Sequence, residues 1–172
     1  MSRPGVPVTI VVMGVSGCGK STVGRALAAA LGLPFIEGDE LHPPRNVALM
    51  AAGTPLSDED RLDWLQAVAA ALAGAAGTGA VVACSALKRR YRDKLRSRAP
   101  ALRLVHLTGE PALLAERLQG RSGHYMPASL LQSQLDILEP PQADEAAITL
   151  DVTAAPEHVV AALQRQLEPS TA

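Results

Sequence analysis

The sequence contains few aromatic residues, few cysteines and little net charge. Its aromatic side chains are one Trp, two Tyr and one Phe, so a core must be built mainly from Ala, Val, Leu and Ile. The two cysteines, Cys18 and Cys84, lack the spacing of a metal site, and we expect both to be reduced thiols. A formal net charge of −1 provides no general field that would attract nucleic acid or a membrane surface.

Long apolar runs are missing as well, and this excludes a membrane-spanning helix. Crossing a bilayer takes about 18 consecutive apolar residues, and no stretch approaches that length. Residues 1–7 carry one Arg and lead into an apolar run that ends in a glycine-rich motif, so cleavage of a secretory signal there would cut through that motif. We therefore expect a cytoplasmic protein, and its 172 residues predict a single domain.

What the sequence does contain is a phosphate-binding pattern near its start. Residues 8–12 form a mainly β-branched run that predicts a strand, and residues 14–21 then fit the P-loop spacing G-x-x-x-x-G-K-[ST]. Glycines let backbone N–H groups ring a phosphate, while the helix that follows adds the positive end of its dipole. Lys20 would reach the β- and γ-phosphates, and the Ser21 hydroxyl would ligate Mg²⁺. We therefore predict a nucleoside triphosphate site formed by Gly14, Val15, Ser16, Gly17, Cys18, Gly19, Lys20, Ser21 and Thr22.

Strand-like and helical patterns alternate along the rest of the chain. The predicted strands are residues 8–12, 33–36, 80–84, 102–107 and 147–152. Their alternation with amphipathic helical patterns predicts an α/β fold of the P-loop NTPase type, with an open parallel sheet of about five strands flanked by helices. Ligands bind at the carboxyl ends of the strands in such sheets, so polar residues that follow a predicted strand are candidate site residues.

Polar residues of this kind follow the second predicted strand. Asp39 comes first, where it can accept a proton from an attacking hydroxyl group or help to hold Mg²⁺, although a solvated loop acid is the alternative. His42 and Asn46 lie on a loop stiffened by prolines and suit a polyhydroxylated ligand, but ordinary loop residues are an equal alternative. Arg61 either points at an anionic substrate or pairs with the acids of a capping box at residues 57–60, which begins the next helix.

A basic run follows the third predicted strand, since seven of the sixteen Lys and Arg residues lie between positions 88 and 98. The apolar stripe of Leu87, Tyr91 and Leu95 buries one helical face and leaves the charges on the others, so we expect a solvated surface and no nucleic-acid partner. Lys88 differs because it stands at the start of this helix, near the binding edge of the sheet. There it could meet a substrate carboxylate.

Arg121 lies in a loop between Gly120 and Gly123, and we expect residues 120–128 to form a small lid. A lid arginine neutralises charge on the transferring phosphoryl oxygens; the alternative is an arginine that meets the C-terminal dipole of the preceding helix. The third strand ends at Cys84-Ser85 and lacks the acid that often holds Mg²⁺ in P-loop enzymes. This absence favours a small-molecule kinase over a large ATPase motor.

Three further motifs are more specific than the P-loop: Asp-x-x-His-Pro at residues 39–43, Cys-Ser-Ala-Leu-Lys at residues 84–88 and Gly-His-Tyr-Met-Pro at residues 123–127. With them the chain resembles the gluconokinase family, relatives of shikimate and adenylate kinases, over nearly its whole length. The resemblance implies ATP-dependent phosphorylation of D-gluconate at its 6-hydroxyl group, with Mg²⁺ and usually a homodimer.

Matching positions carry the family's site residues onto this chain. The resemblance implies catalysis by Lys20, Asp39 and Arg121, with Asp39 as the base and with Ser21 and Asp39 at the metal. It further implies that the sugar acid is surrounded by Asp39, His42, Asn46, Arg61 and Lys88, and that the substrate-binding segment covers residues 38–64.

Two departures from the family pattern leave alternatives open. Leu49 stands where a lysine is expected before Met50, and Asp63 stands where a proline often precedes Trp64. A kinase for another small sugar acid or for a shikimate-like acid therefore stays open. A nucleotide-gated binding switch without turnover is the second alternative, although a binding module has no need of a lid arginine.

Overall fold

A five-stranded parallel sheet forms the centre of the computed structural model, which describes residues 7–119 and 128–167. Its strands are β1 (Thr9–Met13), β2 (Phe35–Glu37), β3 (Ala80–Ala83), β4 (Arg103–Thr108) and β5 (Ile148–Asp151). They pair in the order β2-β3-β1-β4-β5, and every pairing is parallel. The predicted open parallel sheet is therefore confirmed. Because chain order reverses on either side of β1, a binding crevice is expected at its carboxyl end.

The described helices are α1 (Lys20–Leu31), α2 (Pro44–Ala51), α3 (Asp58–Gly74), α4 (Arg89–Arg98), α5 (Pro111–Gln119), α6 (Ala128–Ile137) and α7 (Pro156–Leu167). All five predicted strands are present, with boundaries that differ from the observed ones by at most two residues. The second strand covers Phe35–Glu37 and not residues 33–36. The second helix begins at Pro44, because the fixed φ of proline suits the first turn of a helix.

Side chains along the strands alternate between two buried clusters, one on each face of the sheet. On β1, Ile10 and Val12 belong to the cluster that includes α1 and α7, whereas Val11 and Met13 belong to the cluster that includes α3 and α4. All four side chains are fully buried. Burial on both faces is typical of parallel sheets covered by helices, and it explains why the strand is apolar at consecutive positions.

Glycines and a capping box define the ends of the helices beside the crevice. Gly19 precedes α1 with a φ of 85°, and Gly32 ends it in a left-handed conformation with a φ of 68°. The predicted capping box of α3 is also confirmed. Ser57 Oγ accepts from the Asp60 backbone N–H at 3.1 Å, and Asp60 Oδ2 accepts from the Ser57 N–H at 2.9 Å.

The basic run of α4 is only in part the solvated surface that its sequence predicts, since Arg90, Lys94 and Arg98 are exposed whereas Arg92 is buried. Arg92 is 1% exposed, and its Nε donates to Glu145 Oε1 at 2.7 Å. Arg96 also binds Glu145, and Arg89 forms two hydrogen bonds of 2.8 Å with Asp144. Periodicity within α4 could not reveal this, because the acidic partners lie in a distant turn just before β5.

Most of the predicted lid, including Arg121, lies outside the described residues, since the structure describes nothing between positions 119 and 128. Cys18 and Cys84 are both buried and free, in agreement with the expected reduced thiols. Within the described part of the chain, no helix has the length and apolar character needed to cross a membrane.

Candidate active site

The loop between β1 and α1 adopts a backbone conformation that glycine allows and other residues resist. Gly14, Gly17 and Gly19 have φ values of 148°, 85° and 85°. A Cβ atom on Gly14 would lie 2.7 Å from the Leu107 carbonyl oxygen, so the loop packs directly against the neighbouring backbone. The loop leads into the N-terminus of α1, where free N–H groups and the helix dipole favour an anion.

Lys20 and Ser21 of this loop both contact neighbouring groups. Lys20 Nζ donates to the Val15 carbonyl oxygen at 3.1 Å, which holds the ammonium group over the loop. Ser21 Oγ donates to the carboxylate of Glu37, the last residue of β2. Glu37 was not predicted as a site residue, although its place at the end of β2 is the same signal that marks Asp39.

Gln134 on α6 is a second residue that sequence reasoning did not place in the site. The backbone N–H and the hydroxyl group of Ser16 both donate to Gln134 Oε1, at 2.8 and 3.1 Å. No local pattern indicates this contact, because 118 positions separate the two residues in the sequence. The P-loop is therefore connected to α6 through one amide group.

The P-loop and several predicted acceptor residues line the same cleft, which we call the central cleft. Its charged and polar lining includes Ser16, Lys20, Asp39, His42, Arg61 and Gln134. A phosphate-binding loop, a carboxylate, an imidazole and a guanidinium group therefore share one space. Asn46 and Lys88 are not among the residues that line the cleft.

Asp39 is positioned by a tight 3₁₀ turn, Gly38–Leu41, that follows β2 directly. A Cβ atom on Gly38 would lie 2.2 Å from the Ala83 carbonyl oxygen, so only glycine fits where this turn meets the end of β3. The indole N–H of Trp64 donates to the Gly38 carbonyl oxygen at 2.8 Å. The close contact of Gly38 with the Ala83 carbonyl group and the hydrogen bond from Trp64 together fix the backbone next to Asp39.

His42 is held in one protonation state by its neighbours. Asn46 Nδ2 donates to the Asp60 carbonyl oxygen at 2.8 Å and lies 3.2 Å from His42 Nδ1. Because an amide nitrogen donates, Nδ1 accepts, and the neutral ring carries its proton on Nε2. Burial lowers the pKa of His42 to about 4, with Asp39 opposing the shift and Arg61 adding to it. The ring also stacks on Trp64, with centroids 4.2 Å apart.

Arg61 reaches the central cleft from α3 and is held there by a chain of hydrogen bonds. It is 8% exposed, and its Nη1 donates to Tyr91 Oη at 3.2 Å. Tyr91 in turn donates its hydroxyl proton to Asp58. This bond is the main reason why the pKa of Asp58 lies below its usual value, followed by the hydrogen bond from Lys88.

Lys88 is engaged away from the central cleft. Its Nζ lies 3.0 Å from Asp58 Oδ1, and Arg90 approaches the other oxygen of the same carboxylate at 2.5 Å. The structure therefore groups Lys88 with Asp58 and Arg90, and none of the three lines the central cleft. Contact between Lys88 and a substrate stays a prediction.

Comparison with known proteins places this arrangement in a family. A family model described as an AAA domain matches residues 9–141. A gluconokinase from Gluconobacter oxydans (strain 621H) is 49% identical over an alignment that covers 94% of this chain and 92% of that protein. The chain belongs to the gluconokinase family. It is therefore a kinase, and the resemblance identified from its motifs is confirmed.

Solved structures agree with membership of the gluconokinase family. The crystal structure of a gluconokinase from Sinorhizobium meliloti 1021 is 51% identical, covers 94% of each chain and superposes with a TM-score of 0.84. A shikimate kinase from Bacteroides thetaiotaomicron, 22% identical, covers 94% of this chain and 99% of its own, with a TM-score of 0.71. At 22% identity, the similarity to the shikimate kinase shows a shared fold and nothing more.

A second cavity lies beside the P-loop of this gluconokinase family member. It encloses about 280 Å³ and is lined by Cys18, Gly19, Thr22, Val23, Arg117, Val152, Ala154, Pro156 and Val159. Arg117 Nη2 donates to the Val152 carbonyl oxygen at 2.7 Å, which holds the guanidinium group against the wall. The P-loop thus borders a polar cleft and a more apolar cavity.

The two departures from the gluconokinase pattern do not line the central cleft. Leu49 is half-buried on α2, and Asp63 is exposed on α3. Met50, which follows Leu49, and Trp64, which follows Asp63, do line the cleft. Each of the two departures therefore lies one position away from a lining residue.

Proposed function

We propose that this chain transfers the γ-phosphoryl group of ATP to the 6-hydroxyl group of D-gluconate and releases ADP. One observation carries the proposal: Ser16 and Lys20 of the P-loop line the same cleft as Asp39, His42 and Arg61. Phosphoryl transfer needs donor and acceptor held together in one space, with cationic and N–H groups around the phosphates. The gluconokinase relatives support gluconate as the acceptor.

The donor side consists of the P-loop and the cavity next to it. Backbone N–H groups of residues 14–22 and the Lys20 ammonium group bind the phosphates. The cavity lined by Arg117 and Pro156 is of a size and character to take the adenine base.

Oxygen-bearing side chains at the start of α1 and just after β2 fit a magnesium ion. The Ser21 hydroxyl group and the Glu37 carboxylate are in direct contact, and Asp39 stands two residues beyond Glu37. These are the hard oxygen ligands that Mg²⁺ prefers. We assign Ser21 and Asp39 to the metal, with Glu37 beside them. A bound Mg²⁺ supplies neutralisation of the negative charge on the phosphate oxygens.

Asp39 is the proposed base. Its carboxylate accepts the proton of the substrate 6-hydroxyl group as that oxygen attacks the γ-phosphorus. A bond forms between the sugar oxygen and phosphorus, the bond from phosphorus to the β–γ bridging oxygen breaks, and ADP leaves with the electron pair. Lys20 neutralises the charge that shifts towards ADP, and Arg121 is proposed to act with it.

The remaining acceptor residues hold the sugar acid. The neutral His42 ring presents its Nε2–H to a substrate hydroxyl group, and Arg61 binds the carboxylate. Asn46 acts through His42, because its amide fixes the tautomer of the ring. Lys88 must break its ion pair with Asp58 before it can contact the carboxylate of the substrate.

We further propose that the chain acts in the cytoplasm as a homodimer, without a nucleic-acid or membrane partner. The net charge of −1 and the ion pairs that engage α4 support the absence of a nucleic-acid partner. Light scattering on the purified chain measures the oligomeric state, and a monomeric mass would contradict the proposed dimer.

A coupled assay of ADP release across a panel of acceptors tests the proposed reaction. We expect release to rise strongly with D-gluconate and hardly at all with shikimate or AMP. A larger response to shikimate or another aldonate would overturn the assignment of gluconate. Nucleotide binding with no turnover on any acid would favour a nucleotide-gated switch.

A further inference from the structure

We propose that Gln134 is the side chain with which the central cleft distinguishes ATP from ADP, by donating a hydrogen bond from its amide nitrogen to the γ-phosphate. The proposal rests on the proposed use of ATP as the donor. In the structure the same amide accepts from Ser16 through Oε1, at 2.8 Å from the backbone nitrogen and 3.1 Å from Oγ.

The orientation of the Gln134 amide follows from its partner. A backbone N–H group can only donate, so the atom that faces Ser16 must be the amide oxygen. The donor nitrogen is then on the opposite side of the planar group. Rotation about the last side-chain torsion exchanges the two atoms, and that torsion is soft because it joins an sp³ to an sp² carbon.

The position of Ser16 connects this amide with the γ-phosphate. Ser16 lies within the loop that rings the phosphates, and both it and Lys20 line the central cleft together with Asp39. Lys20 reaches towards the β- and γ-phosphates in P-loop enzymes, and the proposed base Asp39 faces the phosphoryl group that is transferred. The space shared by Ser16, Lys20, Asp39 and Gln134 is therefore where the γ-phosphate belongs.

A phosphate oxygen in that space cannot face an amide oxygen, since both are acceptors. An amide resolves the conflict without moving its helix, because it can offer an oxygen to Ser16 or a nitrogen to the phosphate. A carboxylate of the same size offers only acceptors, and a thioether offers no useful donor. ADP has no γ-phosphate, so its binding does not involve this donor.

The helix α6, which carries Gln134, is packed against the rest of the protein. The proposed rearrangement on binding of the γ-phosphate therefore concerns the Gln134 side chain and not the helix. Leu130 and Leu131 on α6 are 3% and 4% exposed. Just beyond the helix, the Glu139 N–H donates to the Leu87 carbonyl oxygen at 2.8 Å, and Glu139 Oε1 accepts from the Arg89 N–H at 2.9 Å. These contacts keep the helix against the body of the protein.

Calorimetric titration with ADP and with a non-hydrolysable ATP analogue, both with Mg²⁺, tests the proposal. Gln134→Met removes the donor at similar size, and Gln134→Glu removes it at equal size. For both variants we expect the dissociation constant of the ATP analogue to rise about 10-fold or more, the effect of losing one hydrogen bond to a charged group. The dissociation constant of ADP should change by less than about 3-fold, within the range of ordinary context effects.

Gln132→Glu is the matched control, because Gln132 is exposed on the same helix and bonds only to Asp136 among the contacts described. It should leave both constants unchanged. Equal weakening of ADP and the ATP analogue by the Gln134 variants would indicate a structural role and overturn the proposal. Tighter binding of the analogue by Gln134→Met, or an effect on KM for gluconate alone, would overturn it too. Nucleotide binding needs no acceptor, so failure of the gluconate assay is distinguishable from failure here.

Discussion

At the scale of single residues, the proposed chemistry of Asp39 depends on neighbours that take no part in it. Gly38 allows the turn to touch the end of β3, where a Cβ atom would meet a carbonyl oxygen at 2.2 Å. Trp64 holds the same turn through its indole N–H and also stacks on His42. One buried aromatic side chain therefore positions both the proposed base and a proposed substrate ligand.

Asp39→Asn is expected to separate catalysis from nucleotide binding. The amide keeps the shape of the carboxylate but cannot accept the hydroxyl proton, so turnover should fall about 10²-fold or more. Affinity for ADP should stay nearly intact, because the P-loop supplies the phosphate contacts. Steady-state kinetics with D-gluconate and titration with ADP provide the two readouts. Turnover close to that of the unaltered protein would remove Asp39 from its role.

Tyr91→Phe is expected to weaken acceptor binding through Arg61. The variant removes the oxygen that accepts from Arg61 Nη1 and the proton donated to Asp58. Loss of one hydrogen bond that orients the guanidinium group should raise KM for gluconate about fivefold and leave kcat and KM for ATP unchanged.

Arg90→Ala is the control for that variant, since Arg90 contacts the same Asp58 carboxylate from a side chain that is 63% exposed. It should change none of the three constants. If Tyr91→Phe lowers kcat and leaves KM for gluconate unaltered, Tyr91 does not position an acceptor ligand.

Sequence alone could identify the residues whose signal is local. Asp39 follows a strand and Lys20 sits in a motif, so each is visible within a few positions of the chain. Gln134, by contrast, is defined by a partner far away in sequence, Ser16. Strand ends and motif spacing carry no information about such a pair, because contacts between side chains of different secondary-structure elements depend on how those elements pack.

At the scale of secondary-structure elements, α4 is joined to the turn before β5 by a buried ion pair. Arg92 and Glu145 have side-chain exposures of 1% and 0%, and Arg96 adds a second cation to the same carboxylate. The hydrogen bonds of Arg92 and Arg96 outweigh burial and lower the pKa of Glu145 to about 2. Its charge is therefore present throughout the physiological pH range.

Glu145→Gln is expected to destabilise the fold, because it leaves Arg92 buried without its counter-charge. Removing one partner of a buried pair lowers the free energy of unfolding by about 3 kcal/mol or more. Asp144→Asn is the matched control, since the Asp144 side chain is 63% exposed and should matter little. Urea denaturation of both variants at neutral pH measures the difference, and equal stability of the two would contradict a stabilising role for the buried pair.

The secondary-structure elements themselves were largely predictable from the sequence. Where the prediction and the structure differ, the difference has a physical cause. The alternation of apolar strands with helices and the capping box at the start of α3 are local signals, and both are confirmed. The burial of Arg92 within the basic run of α4 was not predicted, because a helical pattern shows which face is apolar but not which charges find a buried partner. Arg92 is buried where Glu145 and the Ala86 carbonyl oxygen accept its hydrogen bonds.

At the scale of the whole molecule, the strand order creates the central cleft. Because β3 pairs with both β1 and β2, the P-loop after β1 and the Asp39 turn after β2 open at the same edge of the sheet. Alternation of strands and helices predicts that the carboxyl ends share an edge, but it does not determine which strands are neighbours. The joining of donor and acceptor groups is therefore a property of the fold.

The identity of the phosphorylated product tests the central proposal most directly. The purified chain is incubated with ATP, Mg²⁺ and D-gluconate, and the product is examined by ³¹P and ¹³C NMR spectroscopy. We predict a phosphomonoester on C6 of gluconate, formed in equal amount with ADP. Release of inorganic phosphate without a sugar phosphate, or phosphorylation at another carbon, would contradict the proposed transfer.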